Sequence, residues 1–275
     1  MKISIQDLTL AYRKAKVDLY YSSHPSIFKI AEYEENIAQN LNDLLRKIQQ
    51  EDESWVAEAT FYGEWSLDPK TIKQSPTSVG TGLVFASPAD EWTAIVENKL
   101  FPEAEFRLMA HCSIDMHVLS ALWMLKVGDS FDKQLSANSY GGRLRRKPNN
   151  DLDHLALGSF KPYLRPFREW REGGIKAMQA GLASGKKIVA LTADISSFYH
   201  ELDPEFMLHE SFMSLLGINL NEDQKKLNRL FIRAIQAWTS HTPSGKGIPV
   251  GLPASAVIAN LALIELDQLI EQETA

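Results

Sequence analysis

Cysteine is almost missing from this chain: Cys112 stands alone among 275 residues. That excludes an internal disulfide framework and fits a reducing cytosol. Long apolar runs are missing too. The longest, Leu252 to Ile264, falls short of the roughly 20 residues that cross a bilayer and contains Asn260. The opening Met1-Lys2-Ile3-Ser4-Ile5-Gln6-Asp7 has no apolar stretch of the secretory kind. No P-loop pattern, no Ser-His-Asp arrangement, no internal repeat and no low-complexity tract is present, which removes several enzyme and fibrous classes. With 44% hydrophobic and 23% charged residues, the composition is that of a globular protein with a sizeable core. The expectation is a soluble, cytoplasmic chain of one large domain or two ordinary ones, with no membrane partner.

Excess positive charge is also lacking, since the net charge is −6. Phosphate binding needs Lys and Arg, so the total speaks against a nucleic-acid partner. The distribution speaks for one. From Gly141 to Lys187 eleven basic residues face four acidic ones, a local +7, with Tyr163, Phe167 and Trp170 interleaved. This stretch reads either as a backbone-binding stripe with stacking rings or as a solvated face with local salt bridges.

Periodicity divides the chain. Leu8, Tyr12, Ala15 and Leu19 fall at helical spacing, and a second helix is expected from about Ser26 through Ile30, Tyr33, Ile37, Leu41, Leu44, Leu45 and Ile48. From Trp55 to about Ser87, β-type residues (Val56, Thr60, Phe61, Tyr62, Val84, Phe85) among Pro and Gly suggest a small sheet. Helical spacing returns from Phe106 to about Lys126 through Leu108, Cys112, Met116, Leu119, Leu122 and Trp123. Lys187 to Ala193 is a short apolar run and reads as a buried strand. Two helices are expected at Pro204–Leu216 and Glu222–Trp238, the second capped by Asn221. A Gly/Pro-rich loop, Pro243 to Gly251, then leads into an apolar helix near Pro253. The Trp55, Trp65 and Trp92 rings read as core. His111, Cys112 and His117 are a poor zinc set, because no second ligand cluster accompanies them.

Two segments carry chemistry. The expected strand ends in Asp194-Ile195-Ser196-Ser197-Phe198-Tyr199. A carboxylate there can hold Mg²⁺ against a phosphate, and rings four and five residues on can pack on a nucleotide sugar. Read alone, the same residues also describe an Asp capping a turn in front of two core aromatics. The second segment is Gly247-Ile248-Pro249-Val250-Gly251-Leu252-Pro253-Ala254-Ser255. Its glycines permit close backbone approach and its helix start offers free N–H groups; a tight loop capped by Ser255 is the plainer alternative.

Taken together, in this order and with two helices between them, the segments resemble the palm motifs of reverse transcriptases, D-x-x-x-F-[FY] and G-x-P-x-G-x-x-x-S. The likeness covers about Ala190 to Asp267. Ser139-Tyr140-Gly141-Gly142-Arg143-Leu144-Arg145 is similar to a fingers motif of the family, and Ala11 to Lys16 to the opening helix of its bacterial defence-associated, abortive-infection members. The resemblance implies an α+β fold: a mainly helical N-terminal extension over 1–105 with a β insertion near 55–87, a fingers-like region over 106–187, and a partial, incomplete ferredoxin-like palm over 188–275. It implies RNA-directed DNA synthesis from dNTPs by two-metal nucleotidyl transfer, with two Mg²⁺ ions, an RNA template, a DNA product and a role in antiviral defence. A homologous reverse transcriptase or a non-coding RNA would be a further partner.

Residue by residue, it makes Asp194 the catalytic metal ligand, helped by the Ile195 carbonyl. Tyr199 becomes the ring that excludes a ribose 2′-hydroxyl, supported by Phe198. Pro249, Val250, Gly251 and Ser255 line the template and nucleotide pocket, and Arg143 is a triphosphate clamp. Val250 stands where many members carry Gln, which leaves untemplated or protein-primed synthesis open. The family's third motif, an aromatic-x-Asp-Asp hairpin, is expected after the helix through Asn260 and Asp267. The chain reaches Ala275 without one, and no Asp-Asp pair occurs in it; Glu265 and Asp267 read as solvated. One carboxylate in place of three leads to the expectation that these 275 residues alone are a fragment without activity. The alternative is a non-catalytic nucleic-acid-binding or partner subunit of polymerase-like fold.

Overall fold

The computed structural model describes residues 3–22, 27–72, 88–97 and 104–274. Helix α1 (Ile5–Tyr20) begins at a reciprocal capping box: the Ser4 hydroxyl accepts from Asp7 N–H, and the Asp7 carboxylate accepts from Ser4 N–H. Its Leu8, Ala11, Tyr12, Ala15 and Leu19 are all buried, as their spacing requires. The next stripe is two helices, α2 (Ile27–Glu35) and α3 (Ile37–Gln49), broken at Asn36. Trp55 and Val56 are buried on a 3₁₀ turn, Ser54–Ala57, and Phe61 and Tyr62 on the one-turn α4 (Ala59–Tyr62). The strand expected near them lies just beyond, at β1 (Glu64–Ile72). Val84 and Phe85 lie outside the described residues.

After α5 (Pro88–Glu97), strand β2 (Ala104–His111) pairs antiparallel with β1, setting Asp68 opposite Arg107. The helix expected from Phe106 therefore starts later, as α6 (Ile114–Trp123), with the Ser113 hydroxyl accepting from Met116 N–H at its start. Gly63, at φ +86°, lets the two strands close: a Cβ there would run into the His111 carbonyl. A π-turn over Met124–Gly128 joins α6 to the one-turn α7 (Asp129–Asp132).

The 143–161 loop leads to the long α8 (Leu164–Ala183), then come the one-turn α9 (Phe198–Glu201) and α10 (Glu210–Leu215). Expected helix 204–216 is thus a 3₁₀ turn, Pro204–Leu208, followed by α10. Helix α11 (Glu222–Ser240) has the Asn221 cap foreseen, doubled by Gln224. Helices α12 (Pro253–Ala262) and α13 (Ile264–Thr274) follow. Fold class is mixed helix and strand with one small sheet, as α+β requires.

The core lies where α6 and α11 cross. Trp123 and Phe231 rings meet at 5.1 Å, and Asn228 joins the Trp123 indole N–H (2.9 Å) to the Met207 carbonyl (2.6 Å). Truncating a ring of this kind to Ala costs about 3–5 kcal/mol. The strand expected at Lys187–Ala193 does not form. Residues 186–195 are irregular and exposed, with Val189 and Leu191 nine-tenths accessible. A strand needs a hydrogen-bonding neighbour, and the single described sheet, β1–β2, does not reach this run. Among the described residues no single helix is long and apolar enough to cross a membrane.

Candidate functional site: the junction of three loop segments

Two segments far apart in sequence, 197–201 and 243–252, meet beside the core, and a third, 139–145, rests on the helix that the second leads into. The first turns at Ser197, whose φ of 55° is left-handed, and enters α9. Phe198 and Tyr199 sit edge to face, with centroids 6.2 Å apart. Both rings are half-buried against the core, and burial pushes the Tyr199 phenol above its ordinary range.

The second segment, 243–252, clamps onto this turn. The Ile248 N–H donates to the Tyr199 carbonyl at 2.8 Å, and Lys246 Nζ pairs with Glu201 at 2.9 Å. Gly247 has φ +94°, and a Cβ on it would stand 2.6 Å from the Tyr199 oxygen. Only glycine satisfies both demands. From behind, the Thr239 hydroxyl of α11 lies 2.8 Å from the Gly247 carbonyl. On the far side the Val250 carbonyl accepts from Ala110 N–H of β2 at 2.8 Å. Gly251, at φ +108°, lies close against the Ala110 carbonyl.

This loop delivers the chain into α12, with Pro253 at the first turn, where its missing N–H is no loss. Ser255 does not cap this helix. It is buried inside the first turn, and its hydroxyl has no partner among the described residues. The helix start is held instead by Ser120 of α6, whose hydroxyl accepts from Ala254 N–H at 3.2 Å. Pro249 is buried, Val250 half-buried and Gly251 exposed.

The third segment is the Ser139–Arg145 turn. Asn260 of α12 donates to the Gly141 carbonyl at 2.6 Å, and Gly142 (φ +58°) sits so near Ala256 that a Cβ would approach its methyl to 3.1 Å. Arg143 points away from this junction. Its Nε donates to Asp132 at 3.1 Å, and its two Nη atoms reach the carbonyls of Asp132, Ser136 and Ser139. With Arg146 on the other Asp132 oxygen at 2.9 Å, it forms a buried ion-pair triad. A guanidinium so engaged fixes the loop and leaves no fork for a phosphate.

Asp194 and Ile195 lie on the exposed, irregular stretch just before the Ser197 turn. Among the described residues no three His, Cys, Asp or Glu side chains converge on a metal position. Two Mg²⁺ ions ask for several oxygen ligands in near-octahedral order, and one carboxylate with one carbonyl does not meet that demand. Besides Lys246, two basic groups of the hairpin act on α9: with burial as the main cause, Arg107 and Lys70 hold His200 below its ordinary pKa. Sequence reasoning missed Ser120, Asn260 and Lys246. Their spacing carries no motif, and only the tertiary meeting of α6, α12 and the loops gives them work.

No family model matches the chain, and no curated protein or solved structure matches it.

Proposed function

We propose that the chain is the fingers and partial palm of a reverse-transcriptase-type polymerase, whose intact form copies RNA into DNA from dNTPs by two-metal nucleotidyl transfer, in antiviral defence. The observation that carries this reading is the junction itself. The 194–199 segment lies against the 247–255 segment through the Ile248–Tyr199 hydrogen bond, 49 residues apart, and the 139–145 turn lies against the helix that follows through Asn260–Gly141, 119 residues apart. Independent core loops have no reason to converge in that way. In this reading Phe198 and Tyr199 form the wall against the sugar, Val250 and Gly251 the floor with Pro249 and Ser255 buried behind it, and Asp194 one of three metal ligands. The triphosphate contact moves from Arg143, already bound to Asp132, to the Lys70 and Arg107 face of the hairpin.

The lone Asp194 favours a second reading, a partner subunit that holds nucleic acid without chemistry of its own. Template-directed dNTP incorporation by the complete gene product, with and without Asp194→Ala, separates the two. Loss of product in the variant supports the polymerase. Defence function that survives Asp194→Ala sinks it in favour of the partner subunit. The 275 residues alone are expected to incorporate nothing, for want of two carboxylates.

A further inference from the structure

Helix α8 is an anomaly in the fold. Of its twenty residues only Pro166 is buried, although Leu164, Phe167, Trp170, Ile175, Met178 and Leu182 are all large and apolar. The rings at its N-terminal end are ordered among themselves. Tyr163 stacks on Phe167 at 5.6 Å and 23°, and Phe167 meets Trp170 at 5.9 Å and 40°. The Arg171 guanidinium lies over the Phe167 ring at 5.9 Å. Tyr163 and Trp170 remain 70% and 54% exposed, so the row ends in two rings with faces open to solvent.

Charge is laid out around this row. At about 100° per residue, Tyr163, Phe167 and Trp170 share one face and Arg171 borders it, while Arg168 and Glu169 turn well away from it on opposite sides and Glu172 falls at the back. Glu169 is further occupied by Arg165 at 2.8 Å. Residues 163–187 carry six basic and two acidic side chains in a chain of net charge −6. Arg143, Arg145 and Arg146 are held by Asp132, Asp153 and Asp129, so the stripe read from sequence contracts to α8 and the segment after it. Arg168, Lys176, Lys186 and Lys187 make no ion pair among the described residues.

We infer that the N-terminal half of α8 is a sequence-independent binding site for single-stranded nucleic acid, in which bases stack on Tyr163 and Trp170 while Arg171 neutralises an adjoining phosphate. Every base offers a π-face, and stacking on exposed rings beside arginine is how such strands are held without readout of sequence. The alternatives fit worse. A second copy of the helix would bring like charges together, and an apolar protein face would have to strip water from the Arg171 guanidinium. A lipid surface would favour an uninterrupted apolar face, whereas Arg171 stands in the middle of this one. The inference does not depend on Asp194 or on any catalytic step.

The test is fluorescence anisotropy of a labelled oligo-uridine of about 16 nucleotides with the full chain, titrated at several salt concentrations. Binding is expected with Kd on the order of 10⁻⁶ M at low salt, weakening as salt rises. Tyr163→Ala with Trp170→Ala should raise Kd about tenfold or more. Arg171→Gln should flatten the log–log salt slope by about 0.7, one phosphate's worth on a single strand. Because these side chains lie outside the core, the variants should unfold at the wild-type temperature. Asp194→Asn should bind as the wild type does, which separates failure here from failure of the polymerase reading. Any of four results overturns the inference: no anisotropy change, equal affinity in the ring variants, capture by phosphatidylserine vesicles in place of the oligonucleotide, or a dimer that Trp170→Ala converts to monomer.

Discussion

Lowering the pH should unfasten the helix that supports the site, and His117 is the reason. It lies on α6, buried, with Nδ1 unpartnered among the described residues. Burial first, and the Lys29 charge second, push its pKa down to about 4, against 6.5 for an ordinary histidine. Between those values the unfolded chain binds a proton that the folded chain refuses. Stability therefore rises with pH across this window and is lost as pH falls through it. The gap of about 2.5 units corresponds to about 3 kcal/mol, fully expressed below pH ~4. Asp18 and Asp115 act with opposite sign, since burial holds their carboxyls above the ordinary range and each adds stability as it protonates. A raw pH profile mixes these with other shifted groups, among them His200, Asp7 and Glu53. Urea unfolding of the wild type and of His117→Gln, which cannot titrate, isolates the histidine. The difference in stability between the two should shift by about 3 kcal/mol against the wild type from pH ~7 to ~4. A difference that stays constant with pH would refute the argument and mean that water or a donor reaches this ring.

Three further outcomes follow from the same geometry. Asp132→Asn leaves Arg143 a nearly buried cation without its carboxylate and Arg146 with Asp129 alone and should lower stability by about 3–5 kcal/mol in urea unfolding. Gly247→Ala forces a Cβ against the Tyr199 carbonyl at a left-handed φ; a loss of about 1–3 kcal/mol is expected, with faster amide exchange at Ile248 as the local signature. Lys14→Met strands the carbonyls of Asp153, Ala156 and Gly158, which the ammonium reaches at 2.6–2.8 Å. It should cost about 3 kcal/mol or more, with exchange rising first in residues 143–161.

Where a single helix decides its own form, the sequence was readable. The stripes of α1 and α11 and the Asn221 cap needed only local spacing, because both helices bury one face against a fixed neighbour. The start of β2 was not readable. Leu108, Cys112 and Met116 satisfy helical spacing, and only the pairing of Leu67 with Leu108 and Trp65 with Ala110 selects the strand. The site shows the same division. Glycines 247 and 251 announced a tight loop, but Gly247 closes on Tyr199 and Gly251 on Ala110, two contacts that no local pattern encodes. Arg143 misled for the converse reason: guanidinium chemistry suits phosphate, and nothing in its own segment shows that Asp132 reaches it first.

The apolar run ending at Asp194 is where local and global demands part most sharply. Val189 and Leu191 have the composition of a buried strand and the exposure of a surface loop. On either side, α8 is solvated while α9 is pinned by the Ile248 hydrogen bond. The chain between Tyr163 and Ser197 thus hangs from a well-packed floor made of α6, α11 and α12, and little described packing holds it. Chemistry at Asp194 needs that carboxylate fixed to within about 0.5 Å, which the present contacts of residues 186–195 do not provide. Whatever completes a site here must therefore order this stretch by pairing with its backbone, and an added strand alongside Val189 to Ala193 does so while burying Val189 or Leu191. Hydrogen exchange reports it directly. In the chain alone, the amides of residues 186–195 should exchange as unprotected backbone, while those of α11 exchange only with global unfolding. Protection of the 186–195 amides in the isolated chain would show that the segment already has its partner, and the lone-carboxylate argument would have to be reopened.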